Sequence, residues 1–448
     1  MTRTYLRKAF AALATITLTI AAPLAAQDTP APEVVFTNVR VFDGTADTLS
    51  APTSVVVRGN VIAAIGPDAA PVSTEATVID GTGQTLMPGL IDNHVHMMFN
   101  SLSPAAMAAP DMSLEKVMQL SAAQSRAMLL RGFTAVRDVG GPSFMLKQMI
   151  DSGKLMGPRI WPSGPMISQT SGHADLRHPS EPSRRFSGKM SKAEEIWASV
   201  VADGRDEVLT AVRENLRLGA SQIKIAAGGG TSSEYDPLDV TQYTLDEMKA
   251  AVDAASDWNT YVTVHAYHPK SVRRAIEAGV KVIEHGNLLD EDTLKLMADK
   301  GIWLSGQMLV DSTEAMDPKR REKRKPVVEG QKIVWPMAKR LGVKLAWGTD
   351  FLFEPDLNAQ QNAYILRLKP YFTPAELLKL VTSGNAELLA LSGPRTPYEG
   401  RLGVVAEGAL ADLILVRGDP LADIDLIGDP AANFTVIMKD GRIVKNEG

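Results

Sequence analysis

The sequence predicts an α/β protein: a (β/α)8 barrel of the TIM-barrel class carrying a small discontinuous β-sandwich formed by both chain ends. Three observations predict it. Eight short apolar runs alternate with helix-length stretches through the middle of the chain, turn-punctuated β-rich runs sit at both ends, and polar residues suited to chemistry close several central runs.

The eight runs are Leu86–His96, Phe133–Gly140, Arg159–Ser168, Gln222–Gly228, Tyr261–Ala266, Val280–Gly286, Ile302–Gln307 and Val343–Asp350. Helices are expected at Ser113–Arg131, Asp206–Leu218 and Thr244–Ser256, which makes each strand-to-strand connection a helical crossover. These runs assign residues 88–397 to the barrel. At the N-terminal end, Val34–Phe42, Ser54–Ile65 and Ala76–Asp80 are punctuated by the turn signals Asp43-Gly44, Arg58-Gly59-Asn60 and Asp80-Gly81. At the C-terminal end, Ala411–Val416 and Thr435–Met438, the latter followed by Lys439–Val444, repeat the pattern. Neither end has enough strands to bury two sheet faces, so 27–87 plus 398–448 are expected to form one composite β-sandwich.

Composition narrows the function classes. At 448 residues, with 45% hydrophobic and 22% charged residues, the chain has ordinary globular proportions, against disorder or a membrane bundle. A formal net charge of -5 supplies no basic face, so nucleic acid is not an expected partner. Arg3, Arg7 and Lys8 precede the apolar run Ala9–Ala22 and the small residues around Ala25-Ala26. Residues 1–26 therefore read as a signal peptide cleaved near Ala26, because the run is shorter than the roughly 20 apolar residues that span a bilayer. A secreted or periplasmic protein without membrane attachment after cleavage is expected. With no cysteine, a disulfide framework and a lipidated cysteine are both excluded.

The strand ends carry the chemistry. His94 and His96 are two apart on an extended segment, so both imidazoles face one side and can grip one cation. His265 and His285 end neighbouring strands and suit a second ion, and Asp350 ends the eighth run, where a buried carboxylate needs a cation or donors. Lys224 is out of place among cations as an ammonium. Carboxylated by CO2, it would be an anion able to bridge two ions. Each residue alone has an ordinary structural explanation, and their joint placement at the ends of five strands is the specific signal.

Pro88-Gly89-Leu90-Ile91-Asp92 leading to His94 and His96, Ile223-Lys224-Ile225, His265, Glu284-His285-Gly286, Gly348-Thr349-Asp350 and Gly408–Leu413 make the chain resemble the amidohydrolase superfamily over nearly its whole length. Ser168–Asp175 and Tyr235–Tyr243 resemble the prolidase and Xaa-dipeptidase branch, which includes ochratoxin-hydrolysing amidases. The resemblance implies that His94, His96 and Asp350 hold one Zn2+, that His265 and His285 hold another, and that carboxylated Lys224 bridges them. Two divalent ions, most simply Zn2+, are thus the expected cofactors. It also implies His173 and Tyr235 as catalytic and substrate-contacting groups, with Asp350 passing the proton.

Arg177 is a candidate partner for a substrate carboxylate, with a surface role equally open. Tyr267, beside His265, is expected to turn away from it and pack. His178 and His268 fit no ligand position, and Arg137-Asp138 reads as structural at the barrel mouth. The basic cluster Lys319–Lys325 reads first as a solvated face and second as an edge of the catalytic mouth. The expected substrate is a small molecule or dipeptide cleaved at an amide. A cyclic amide, lactone or phosphoester is the enzymatic alternative, and a catalytically silent scaffold is the non-enzymatic one. A homo-oligomer is compatible with the sequence.

Overall fold

The computed structural model describes residues 32–103, 106, 109, 111–233, 235–310 and 317–447. The signal-peptide segment 1–26 lies outside the described residues. Five strands open the described chain: β1 (Glu33–Val41), β2 (Thr53–Arg58), β3 (Val61–Gly66), β4 (Thr77–Asp80) and β5 (Gln84–Pro88). Val34, Phe36, Val55 and Val57 pack in a shared apolar core, and the intervening Val35 and Val56 are buried as well.

The central strands are β6 (Leu90–Val95), β7 (Phe133–Asp138), β8 (Arg159–Pro162), β9 (Met166–Ser168), β10 (Ser199–Val201), β11 (Ile223–Ala226), β12 (Val262–Ala266), β13 (Val282–His285), β14 (Trp303–Gly306) and β15 (Lys344–Trp347). They form two parallel sheets, β6-β7-β8 and β10-β9-β11-β12-β13-β14-β15. Every residue of β6, β7, β11, β12, β13 and β14 is buried, as expected of parallel strands covered on both faces. This is a TIM-barrel-like α/β arrangement, although among the described residues no single hydrogen-bonded ladder runs through all the strands.

Two expected strands are split for local reasons. Gly89 separates β5 from β6, giving its N–H to Asp412 O at 2.8 Å; a Cβ there would lie 2.1 Å from Thr134 Oγ1. Pro162 to Pro165 separates β8 from β9, with Gly164 at φ +76° and Pro165 unable to donate to a ladder. Side chains tie the pieces together. Gln222 Nε2 donates to Asp138 O at 3.2 Å and Trp161 O at 2.9 Å, joining the two sheets on one side. On the other side, Asn385 Nδ2 donates to Ile91 O at 2.6 Å and Trp347 O at 2.9 Å, while its Oδ1 accepts from Trp347 N at 3.0 Å.

The chain returns to the terminal sheet through β16 (Leu413–Arg417), β17 (Phe434–Lys439) and β18 (Arg442–Asn446). Hydrogen bonds link both chain ends in one eight-stranded sheet, β18-β17-β16-β5-β1-β2-β3, with β4 also on β1. Strands from both chain ends thus join through β1, which is shared by the group of β2, β3 and β4 and the group of β5, β16, β17 and β18, with one apolar core drawn from both groups. Within β1, Val34–Thr37 pair with β4, the register shifts near Asn38 (φ +57°), and Arg40–Val41 pair with β5. Asn tolerates this left-handed conformation, so one strand serves both halves.

Helices Leu114–Leu130, Arg205–Arg217 and Leu245–Asp257 match the three expected from sequence to within one residue at each end. Ser113 caps the first and Thr244 forms a capping box with Glu247 on the third, which explains why their starts are legible. No helix of the described residues is long and apolar enough to cross a membrane.

Asn385→Ala should weaken folding by about 2–4 kcal/mol, because it strands three buried backbone groups joining β6 and β15. Urea denaturation measures this, and a loss under about 0.5 kcal/mol would contradict the proposed tie.

Candidate active site

The six residues expected to form the site sit on or just beyond the C-terminal ends of parallel strands. His94 lies on β6, with His96 one residue past its end; Lys224 is on β11, His265 on β12, His285 ends β13 and Asp350 follows β15. His285 (φ +75°) and Asp350 (φ +54°) both adopt the left-handed region, rare for residues with a Cβ. Such strained backbone concentrates at functional sites, and here it turns both side chains in at the strand ends.

The structure gathers these side chains around one cavity of about 570 Å3, counting its open mouth. Asp350 Oδ1 lies 3.2 Å from both His94 Nε2 and His96 Nε2, and Oδ2 lies 3.7 Å from His285 Nδ1. Ligand atoms of His94, His285 and Asp350 all fall within 4.8 Å of one another, so this trio meets the spacing needed for one cation. His265 lies alongside, its ring centroid 4.3 Å from that of His285, with Nε2 turned to Gly229 O at 3.1 Å. Lys224 is 1% exposed and lines the same cavity.

Glu284, which sequence reasoning did not assign a role, organises the floor of the site. Its Oε2 is 2.8 Å from His94 Nδ1, and its Oε1 accepts from Arg137 Nη2 at 2.6 Å and from Thr263 Oγ1. A carboxylate behind a ligating imidazole fixes its orientation and raises its basicity. Gln307 plays a related part, with Oε1 2.7 Å from His285 Nδ1. Arg137 is fully buried and also donates to Asn93 O at 2.7 Å, a structural role beneath the mouth. Glu284 was legible only as the neighbour of His285; in register with His265 on β12, it faces the same interior beneath the cavity.

The electrostatics follow from burial. Desolvation holds His96, His265 and His285 below the ordinary histidine value, keeping lone pairs free. At His94 desolvation is outweighed by the charges of Asp350 and Glu284, which raise its value. Burial alone would raise Asp350 and Glu284; neighbouring His94 holds the first well below the carboxylate range, and Arg137 with His94 does so for the second. Burial pulls Lys224 down to about 8 against the opposing pull of Glu284 and Asp350. A cation at the imidazoles and Asp350 satisfies this donor set.

The surrounding loops place the remaining candidates. His173 lines the cavity, stacks on His265 at 3.7 Å between ring centroids, and points Nδ1 at Ser233 Oγ (2.7 Å) and Asp236 Oδ2 (3.2 Å). Tyr235 is 37% exposed and is not among the residues lining the cavity. Arg177 turns back on Asp175, with Nε at 2.7 Å and Nη2 at 2.5 Å from its carboxylate, and does not line the cavity. Tyr267, expected to pack away, faces the cavity with His265 and stacks on His285 at 5.0 Å. Residues two apart along an extended chain share a face, so Tyr267 follows His265 inward. His178 is an exposed loop residue bonded to Ser180, and His268 precedes helix Pro269–Ala278. Of the basic cluster, Arg324 lines the cavity, and Lys323 Nζ donates to Gly230, Ser233 and Asp236 carbonyls at 2.8–3.1 Å. The cluster is thus partly an edge of the mouth.

Parallel strands ending in imidazoles, a carboxylate and a buried lysine define an α/β protein whose chemistry lies at the C-terminal strand ends. The Amidohydrolase family model matches residues 85–445, and the chain belongs to that family, in its prolidase-like branch. Among curated proteins it is 29% identical to an ochratoxinase of Aspergillus niger over 412 residues, covering 88% of this chain and 83% of that one. The crystal structure of A. niger ochratoxinase superposes with TM-score 0.81 at 26% identity, covering 94% of this chain and 97% of that chain. A prolidase solved with N-methylphosphonate-L-proline has TM-score 0.84 and 34% identity, covering 92% and 100% of the two chains. A Xaa-Pro dipeptidase with bound methionine has TM-score 0.79 and 30% identity over the same shares.

Arg137→Met should destabilise the fold by about 3–5 kcal/mol, because it leaves Glu284 buried without its cationic partner. Denaturant titration at pH 7 measures this, and a change below about 1 kcal/mol would show that Glu284 does not depend on Arg137.

Proposed function

We propose that the chain is a binuclear metal-dependent hydrolase that cleaves an amide bond in a dipeptide or N-acyl amino acid. The carrying observation is the convergence of His94, His96, His265, His285, Asp350 and buried Lys224 on one cavity at the strand ends. Names of the similar proteins support the bond type: the set includes a prolidase, a Xaa-Pro dipeptidase and an ochratoxinase. We read the parallel strands as one closed (β/α)8 barrel, a reading supported by the bond from Asp350 N to His94 O at 2.8 Å between its first and last strands.

His94, His96 and Asp350 would hold one divalent ion and His265 and His285 the other, with Zn2+ fitting the imidazole and carboxylate donors. Bound there, the ions would supply Lewis acidity at the scissile carbonyl and lower the pKa of a nucleophilic water. Lys224 is the bridging residue as a carbamate. Its neutral amine attacks CO2, a C–N bond forms and one proton leaves Nζ; a value near 8 keeps a useful fraction of the amine neutral at physiological pH.

Asp350 is held ionised by its histidine neighbours, so it suits the task of taking a proton from water at a carboxylate oxygen and passing it to the leaving nitrogen. His173 gives its Nδ1 hydrogen to Ser233 or Asp236, which leaves Nε2 as the second ring nitrogen. Nε2, where it carries a hydrogen, can donate to the developing oxyanion. Glu284 and Gln307 hold the rings of His94 and His285.

Asp350→Asn should keep the fold and lose about 100- to 10,000-fold in kcat on any accepted dipeptide or N-acyl amino acid. Steady-state assay with circular dichroism as a folding control measures this, and a loss under tenfold would remove Asp350 from proton transfer. With isotope-labelled bicarbonate, wild type should show a carbamate carbon signal by NMR that Lys224→Ala lacks. The signal should strengthen as pH rises through about 8, where the amine loses its proton. An unchanged spectrum in Lys224→Ala would contradict the bridge.

A further inference from the structure

The loop that follows β11 touches two imidazoles of the site. Gly229 O accepts from His265 Nε2 at 3.1 Å, which leaves Nδ1 of that ring with its lone pair free. Further along, Gly230 N donates to Asp236 Oδ2 at 2.8 Å and Ser233 Oγ donates to Asp236 Oδ1. Because the Ser233 hydroxyl hydrogen is committed to Asp236, the hydrogen of the 2.7 Å contact between Ser233 Oγ and His173 Nδ1 belongs to the imidazole. Two glycines let the backbone come this close. A Cβ on Gly229 would lie 1.7 Å from Pro237 O, and one on Gly230 would lie 2.1 Å from His173 Nδ1.

A residue outside the cavity holds this loop. Lys323, on helix Pro318–Arg340, places Nζ 3.1 Å from Gly230 O, 2.9 Å from Ser233 O and 2.8 Å from Asp236 O, with Asp236 Oδ1 at 3.8 Å. An ammonium has three hydrogens to donate, and the three carbonyls take all of them. Burial pushes the Asp236 carboxyl up, yet His173, Ser233 and Lys323 together hold it below the ordinary value. The helix itself is anchored elsewhere. Gln331 exchanges two hydrogen bonds of 2.8 Å with the backbone of Leu309, and a Cβ on Gly330 would lie 2.0 Å from Asn287 O. Lys323 therefore reaches from a helix fixed to the segments after β13 and β14 to the loop after β11.

We propose that Lys323 is a positioning residue whose ammonium acts as a built-in cation in a cage formed by the carbonyls of Gly230, Ser233 and Asp236, and that this cage holds Asp236 and Ser233 against His173 and Gly229 O against His265. Converging backbone carbonyls hold compact cations such as K+. Without the lysine side chain, the cage is thus a site for a free ammonium ion. An arginine does not substitute, since its planar fork cannot converge its donors on one point. The cage stands independently of the amide-hydrolase reading; only the consequence of His173 and His265 placement for turnover rests on that reading.

Chemical rescue in the full-length protein tests the cage through two signals: hydrogen exchange of the Gly230 amide, which faces Asp236, and the Nδ1–H resonance of His173 in protein carrying isotope-labelled histidine. Lys323→Ala should speed exchange at Gly230 roughly 10-fold or more, leave β11 unchanged, and shift or broaden the His173 signal. Ammonium chloride at roughly 100 mM, enough to fill a millimolar site by mass action, should return exchange to within about twofold of wild type and restore the signal. Tetramethylammonium chloride at the same ionic strength has no N–H to donate and should restore neither. Lys323→Met fills the space without charge, so it should show the fast exchange with no rescue, and it decides the matter if Lys323→Ala fails to fold. Wild-type exchange and an unshifted His173 signal in Lys323→Met, or fast exchange in Lys323→Ala that ammonium leaves unchanged, would overturn the cage. Turnover of an N-acyl amino acid separates the two readings. Rescue by ammonium in a protein whose wild type cleaves no amide would leave the cage standing and refute the hydrolase, whereas unaltered turnover in a fast-exchanging Lys323→Met would overturn the positioning role alone.

Discussion

Buried charge is the constraint on which the rest of the structure depends. Glu284 is buried with Arg137, Lys224 and a ring of imidazoles, and Asp350 stands part-exposed at the cavity beside them, where an unpaired charge is costly. Each is matched: Glu284 by Arg137 and His94, and Asp350 by His94 and His96. The strands must hold their registers for these pairs to meet. Asn385, Gln222 and Gly89 accordingly act where strands cross or where pieces of sheet join.

Around this floor, the loops supply direction. Lys323 gathers three carbonyls of the 230–236 segment, whose Asp236 in turn faces His173. The next residue, Arg324, turns into the cavity. A single helical stretch thus steadies the segment carrying Asp236 and contributes an Arg324–Glu354 ion pair to the cavity lining. The cavity lining is mostly imidazole, carboxylate, hydroxyl and cationic side chains, whereas the adjoining recess past His96 and His173 is mostly apolar.

The strand-end residues were legible in the sequence because short apolar runs recur and each closes on a side chain unusual for a buried position. His94, His96, Lys224, His265, His285 and Asp350 line one cavity for that reason. What local pattern could not convey was position set by distant contacts. The inward turn of Arg324 depends on Val310 and Glu354, and Arg177 is withdrawn by Asp175, a pairing that its sequence neighbourhood allowed but did not require. Tyr267 was misread through alternation, which places it on the side of His265. The sharing of β1 between two groups of strands was hidden because it changes partner midway, a property of the assembled strands.

The most direct test of the central claim is the metal stoichiometry of the purified full-length protein, read by mass spectrometry alongside turnover of an N-acyl amino acid. The account predicts close to two divalent ions per chain, loss of turnover when a chelator strips them, and recovery when Zn2+ and bicarbonate are restored. Full turnover in chelator-stripped protein would contradict it.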